Sequence, residues 1–393
     1  MPQPPKYILP LIVLSQFAGT SLWFVGNAIL PELQQHLSLQ SNSVGTITSI
    51  VQLGFISGTL VFAILAIADR FAPSLVFLIC SLLAALSNIS IVWLANDIST
   101  LMLFRFVTGF FLAGIYPVGM KIAADWYEQD LGKALGYLVG ALVLGTAFPH
   151  LLKGSSHRLP WREVIFITSA VAFIGGLLMM LLVPPGPYRK KAAAFHPSVL
   201  FTVFKSRNFR AAASGYFGHM WELYTLWAFV PALLLAHQQQ QPSAHYNIPL
   251  WSFIIIGAGS LSCVAGGNIS RKTGSAKVAF YALLISGICC CMPWLFVQAP
   301  SFIFLSFMLI WGLSVIADSP QFSALVAQTA PAENKGSAIT IVVCIGFAIT
   351  IASIQLLNFL FQQYPTIFMF LVLLPGPVIG LLAMYPLLKR SRK

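Results

Sequence analysis

Tyr7-Ile8-Leu9-Pro10-Leu11-Ile12-Val13-Leu14-Ser15-Gln16-Phe17-Ala18-Gly19-Thr20-Ser21-Leu22-Trp23-Phe24-Val25-Gly26-Asn27-Ala28-Ile29-Leu30 contains no Lys, Arg, Asp or Glu. Roughly 20 apolar residues in helix cross the hydrocarbon core of a bilayer, so this stretch reads as a membrane span. Ser337–Phe361 is a second uncharged stretch of that kind. Across all 393 residues, 58% are hydrophobic and 8% charged, against about 25% charged in a soluble domain. The whole chain is therefore expected to be an all-α integral membrane protein. The first run has full spanning length, follows a lone Lys6 and lacks a small-residue cleavage pattern, so it is taken as a span rather than a leader.

Hydropathy places twelve spans near 7–30, 44–68, 74–95, 100–124, 132–153, 163–183, 210–236, 250–268, 276–298, 301–327, 336–361 and 365–388. Most connections are short. Pro184–Arg210 is longer and carries Arg189, Lys190, Lys191, Lys205, Arg207 and Arg210, with Pro184, Pro185 and Pro187 as helix breakers at its start. The expected division is residues 1–183 as one six-helix bundle, 184–209 as a basic linker and 210–393 as a second bundle. With both termini cytoplasmic, seventeen cations fall on the inner side and three (Lys153, Arg158, Arg162) on the outer; Arg105 and Lys121 lie within span four. Cations flanking spans stay on the cytoplasmic side, which sets this orientation and a multi-pass plasma-membrane location of bacterial inner-membrane type. The net charge of +12 is then a topology signal, and no nucleic-acid partner is expected. The six cysteines all sit in apolar segments, so neither a disulfide framework nor a metal site nor a cofactor is expected.

The halves repeat one another. Ser21-Leu22-Trp23 returns as Thr225-Leu226-Trp227, Asp69-Arg70 as Arg271-Lys272, and Gly132-Lys133-Ala134 as Gly336-Ser337-Ala338, at offsets of 204, 202 and 204. Duplicated halves are one way to build a transporter with alternating access. The loop Leu65-Ala66-Ile67-Ala68-Asp69-Arg70-Phe71-Ala72-Pro73-Ser74 resembles the G-x-x-x-D-[RK]-x-G-[RK]-[RK] loop of the major facilitator superfamily, keeping Asp-Arg but neither glycine. Its second copy, Gly267-Asn268-Ile269-Ser270-Arg271-Lys272-Thr273-Gly274, keeps both glycines and carries Arg271 in place of the Asp. Arg105-Phe106-Val107-Thr108-Gly109 on span four is similar to that family's R-x-x-x-G. Span five has Gly136-x-x-x-Gly140-Ala141-Leu142-Val143-Leu144-Gly145, without the proline typical of the family's antiporters. The resemblance covers the chain and implies two pseudo-symmetric six-helix bundles, with spans one, four, seven and ten lining a central cavity.

Buried charge in a bilayer is costly and usually serves a function. Arg105, His219, Glu222 and Asp318 fall on three of the four cavity spans that the resemblance implies. Glu222 lies twelve residues beyond Arg210, about 18 Å in at 1.5 Å per residue, near the midplane. His219 is its i, i+3 neighbour. Glu222, His219 and Asp318 are the expected proton-coupling residues, and each has a plainer reading as a helix-holding hydrogen-bond partner. Arg105 is the expected anchor for a carboxylate, with an internal ion pair as its plainer reading. Gln16, Trp23, Asn27, Tyr116, Trp221, Tyr224 and Trp227 are further substrate-binding candidates, and Asp69, Arg70, Arg271 and Lys272 candidate gating residues. His150, near the outer end of span five, is a further substrate-binding candidate, with an interfacial position as its plainer reading. His219-Met220-Trp221-Glu222 lacks the second His of a zinc-protease motif, so an enzyme is not expected. The expected function is proton-coupled secondary transport of a small organic solute by a monomer, with proton-antiport efflux of an amphipathic drug or metabolite such as a siderophore as the alternative.

Overall fold

The computed structural model describes residues 4–38, 43–127, 131–155, 159–189, 202–331, 335–364 and 367–390. Arg158, Lys190, Lys191, Arg392 and Lys393, all counted among the topology cations, lie outside the described residues, as do residues 190–201 of the linker. The twelve spans are present. Among the described residues, nine helical stretches are long and apolar enough to cross a membrane on those grounds alone. The other three are span one and span nine, which are interrupted, and span seven, which is too polar.

Span one unwinds. It runs as helix over Ile8–Thr20, turns at residues 21–24, and resumes over Val25–Ala28 and Leu30–His36. Span seven, Arg207–Gln240, is one continuous helix of 34 residues, longer at both ends than its hydropathy indicated. Ser206 caps its start by accepting from the Phe209 N–H, and the His, Glu and Gln content of the helix lowers its mean hydropathy. Span nine stops at Cys290 and continues as a short turn, Pro293–Phe296. Spans four and ten each consist of two helices: Ile98–Leu112 with Tyr116–Trp126, and Ser301–Ala317 with Ser319–Thr329. In both, proline opens the second helix (Pro117, Pro320), where its missing N–H has no intrahelical partner to lose.

The spans form two six-helix bundles. Span one packs against five and six, two against four, and three against four and six. In the second half, seven packs against eleven and twelve, eight against ten, and nine against ten and twelve. The halves meet where span five lies on span eight and span eleven on span two, a pair of contacts that exchange under a twofold.

Lipid supplies no hydrophobic drive for helix association, so close approach through small residues does much of that work. A Cβ built on Gly109 of span four would sit 2.2 Å from the Val51 carbonyl oxygen of span two; one on Gly312 of span ten would sit 2.2 Å from the Ile255 carbonyl of span eight. Glycine and acceptor recur together 203 and 204 residues later. The same two backbones thus touch at the same place in each half. Between the halves, Gly136 and Gly140 of span five face the Cys263 and Ser260 carbonyls of span eight, where a Cβ would sit 3.3 and 3.2 Å away, a tight fit but less so than at Gly109 and Gly312.

Gly109→Ala and Gly312→Ala should each lower stability by about 1–3 kcal/mol through overpacking against backbone. Gly336→Ala, with nothing within 4 Å of its Cβ, should not. Thermal unfolding of the purified variants checks this. Equal melting of all three would mean that the glycine contacts do not set helix spacing.

Candidate functional site

The unwound turn of span one exposes carbonyls inside the membrane, and Arg105 takes them up. Its guanidinium is fully buried. Nη1 donates to the Leu22 carbonyl at 3.2 Å and to Asn88 Oδ1 at 3.3 Å, while Nη2 donates to the Leu22 and Trp23 carbonyls at 3.2 and 2.6 Å. All these partners are neutral oxygens, and the Leu22 and Trp23 carbonyls lie just past the carboxyl end of helix Ile8–Thr20, where the helix dipole favours a cation. Asn88 in turn donates to Ser169 Oγ at 3.0 Å, so spans one, three, four and six are joined through one network. Arg105 lines neither cavity described below. Its Nη1 and Nη2 donors are occupied by the carbonyls of span one and by Asn88, while Nε is buried without a partner.

Trp23, fixed by that clamp, stands at the centre of an aromatic stack between the halves. Its ring lies 4.9 Å from Phe55, 5.8 Å from Tyr224 and 5.8 Å from Phe347; Tyr224 and Phe347 are 5.2 Å apart. Trp227, the repeat partner of Trp23, packs on Tyr224 at 5.4 Å. The indole N–H groups of Trp23 and Trp227 are both buried without a protein partner.

A cavity lies on either side of this stack, between the bundles. Toward the face that carries the linker, a space of about 320 Å³ is walled by Tyr116, Lys121, Tyr216, Met220, Tyr224 and Phe347 among others. Toward the opposite face, a larger space of about 710 Å³ is walled by Asn27, His150, Phe229, Ser252 and Asn358 together with apolar residues.

The ionisable groups of the second half sit behind the wall. His219 Nδ1 is 2.8 Å from Asp318 Oδ1, both almost fully buried. This differs from the expected pairing of His219 with Glu222. Asp318 occupies the break between the two helices of span ten, next to Ile316 and Ser319 of the cavity wall. Glu222 turns instead toward spans nine and ten, where its Oε1 accepts from Ser286 Oγ and, at 2.7 Å, from Trp311 Nε1.

Of the remaining candidates, Tyr116 and Tyr224 face the linker-side cavity and Asn27 the other. Gln16 is buried against Gly119, with both amide atoms unpartnered. Trp221 points away from the centre: its indole donates to the Val372 carbonyl at 2.8 Å, in the 3-10 helix Ile367–Leu373 that opens span twelve. At the linker face, Asp69 pairs with Lys121 of span four, which ties the loop after span two to the cavity rim. Arg70, Arg271 and Lys272 are exposed nearby on the ends of their helices. Lys121 reads from sequence as a snorkelling cation, and only the fold shows its partner. Among the described residues, no three His, Cys, Asp or Glu side chains gather as a metal site.

Arg105→Met should strand the Leu22 and Trp23 carbonyls, at roughly 1–3 kcal/mol for each buried group left unpaired. Arg105→Lys should fall between, since a point charge replaces a planar fork. Folded yield and melting temperature measure both. A methionine variant that melts with the parent would remove the clamp from consideration.

The family model described as Major Facilitator Superfamily matches residues 12–354. An uncharacterized transporter of Escherichia coli, YgaY, is 23% identical over 210 residues, 52% of this chain and 52% of the relative. The MFS-type transporter acdC of Aspergillus candidus is 26% identical over 180 residues, 42% of this chain and 34% of the relative. The chain thus spans about half the length, or less, of the curated relatives it matches. Among solved structures, the human organic anion transporter MFSD10 (TETRAN) superposes with a TM-score of 0.75 at 14% identity, covering 98% of this chain and 99% of that one.

Proposed function

Because this chain belongs to the major facilitator superfamily, we propose that it is a secondary active transporter that moves a small organic solute by alternating access, driven by protons. One observation carries the reading. Two cavities between the bundles lie on opposite faces, and the Trp23–Tyr224–Phe347 stack closes each from the other. Rocking one bundle against the other would open one side while the stack and its surroundings close the other. In this reading residues 1–183 and 210–393 are the moving bodies, 184–209 is the cytoplasmic linker, and the protein works as a monomer in a plasma membrane of bacterial inner-membrane type. The cation distribution supports that orientation.

His219, Asp318 and Glu222 are the proposed coupling residues. The His219–Asp318 pair stands immediately behind the linker-side wall, so hydration of that cavity reaches it first. Glu222 lies deeper, among Ser286 and Trp311. Trp23, Tyr116, Tyr224, Trp227, Asn27 and Gln16 are the proposed substrate contacts; Arg105 acts on them through the backbone of span one. Asp69, with Lys121, and Arg70, Arg271 and Lys272 are the proposed gate at the linker face. A second reading, proton-antiport efflux of an amphipathic compound, is favoured by the mostly apolar lining of both cavities.

Asp318→Asn and Glu222→Gln keep size and remove titration. In proteoliposomes, after a thermal-shift screen of carboxylates, sugars, amino acids and siderophore-like chelates has supplied a substrate, each variant should lose accumulation driven by a pH gradient and retain counterflow exchange. Accumulation in proportion to the proton-motive force in both variants would sink the coupling assignment. The direction of flux relative to the gradient separates symport from antiport.

A further inference from the structure

The larger cavity has an unsatisfied group in its wall. His150, on span five one turn before Lys153, is 2% exposed, and its Nε2 has no protein partner. Thr146, one turn earlier on the same helical face, is buried with its hydroxyl unpartnered as well. The other buried polar side chains at that wall are engaged. Asn27 Nδ2 donates to Thr48 Oγ1 at 2.7 Å, and Ser252 donates to the Ile248 carbonyl at 2.9 Å; Asn358 has a partner too. A buried nitrogen without a hydrogen bond is costly unless something arrives to complete it. Pockets that combine a broad apolar wall with one or two convergent polar groups are characteristic of small-molecule sites.

We propose that this cavity binds an amphipathic ligand bearing a hydrogen-bond acceptor, a carboxylate above all, and that His150 is the residue that recognises it. The apolar body of the ligand lies against Phe229, Ala232 and Phe361, and its acceptor meets the imidazole of span five. The unpartnered imidazole nitrogen, not a charge, selects an acceptor over a cation. Neither Asp or Glu nor Lys or Arg lines this cavity among the described residues, and Glu32 is paired with Lys153. A cationic ligand would be desolvated there with no carboxylate in the wall to meet it, whereas an acceptor meets the imidazole N–H. This assignment replaces Arg105 as the acid-recognising group, since the Arg105 guanidinium is bound to the carbonyls of span one.

The proposal rests on the transport reading for how the ligand enters and leaves, but the site is testable without flux. Tritiated 1-naphthoate is titrated into the full chain in lipid nanodiscs, with 1-naphthylmethylamine as competitor. The parent should bind naphthoate saturably and ignore the amine. His150→Leu should weaken binding about tenfold or more, the scale of one lost hydrogen bond to a charged group. His150→Gln, which restores a donor, should recover most of it. Ala232→Trp fills the cavity with His150 intact and should abolish binding, whereas Val343→Trp on the linker-side cavity should not. Absence of saturable binding to the parent, unchanged affinity in His150→Leu, or loss in Val343→Trp but not in Ala232→Trp would each overturn the assignment. Naphthoate flux in proteoliposomes is read separately: His150-dependent binding with no gradient-driven flux would leave this site standing and count against the transport reading.

Discussion

A helix that unwinds inside a bilayer has no water to satisfy its carbonyls, and the protein must supply donors from elsewhere. Span one unwinds at residues 21–24, and Arg105 is the donor. Four hydrogen bonds from one guanidinium bind Leu22, Trp23 and Asn88, so a single side chain stabilises the irregular backbone and neutralises its own burial in the same act. The position of Trp23 follows from it, and the separation of the two cavities follows from Trp23.

The second half shows what the same architecture does without that clamp. Counting from the first residue of each span, Arg105 of span four corresponds to Met308 of span ten, 203 residues later. Met308 is fully buried and apolar. Opposite it, span seven runs unbroken through Leu226 and Trp227, so no carbonyls there require a donor. The halves diverge in charge for a structural reason: a cation where a helix is broken, none where it is whole. The acids show the reverse pattern. Asp318 stands where the first half has Ile115, and Glu222 where it has Ala18, so the acids beside the aromatic stack stand in one bundle and the rigid clamp in the other.

Topology was legible because hydropathy, cation placement and repeats are local properties of the chain. The twelve spans, the two halves and the four buried charges could all be read without coordinates. Which groups the charges meet could not. His219 is one turn from Glu222 on the same helix, and local spacing alone makes them partners; the fold brings Asp318 closer, through the break in span ten that Pro320 opens. Lys121 and Asp69 are 52 residues apart and belong to different spans. The break in span one leaves no proline at its site, since residues 21–24 are Ser, Leu, Trp and Phe. It becomes intelligible only once Arg105 is seen facing it. Trp221 shows the opposite error: an aromatic on a cavity-lining span was counted as central, although a helix in a bundle has two faces and this residue lies on the outer one.

The aromatic stack also bounds the energetics of switching. Among Trp23, Phe55, Tyr224 and Phe347, three ring contacts cross between the bundles: Trp23 with Tyr224, Trp23 with Phe347, and Phe55 with Phe347. Aromatic pairs contribute about 0.5–1.5 kcal/mol each beyond their buried area, so separating three costs on the order of 1.5–4.5 kcal/mol. That range corresponds to minor-state populations from several per cent down to a few parts in ten thousand. A ligand that prefers the opened arrangement by about one to three powers of ten offsets such a gap. Rings that meet across the interface without a hydrogen bond or ion pair between them can part and re-form without stranding a polar group, a constraint that a salt bridge in the same place would violate. The charged contacts are kept where the backbone does not move apart: Arg105 within the first bundle, and Asp318 with His219 within the second.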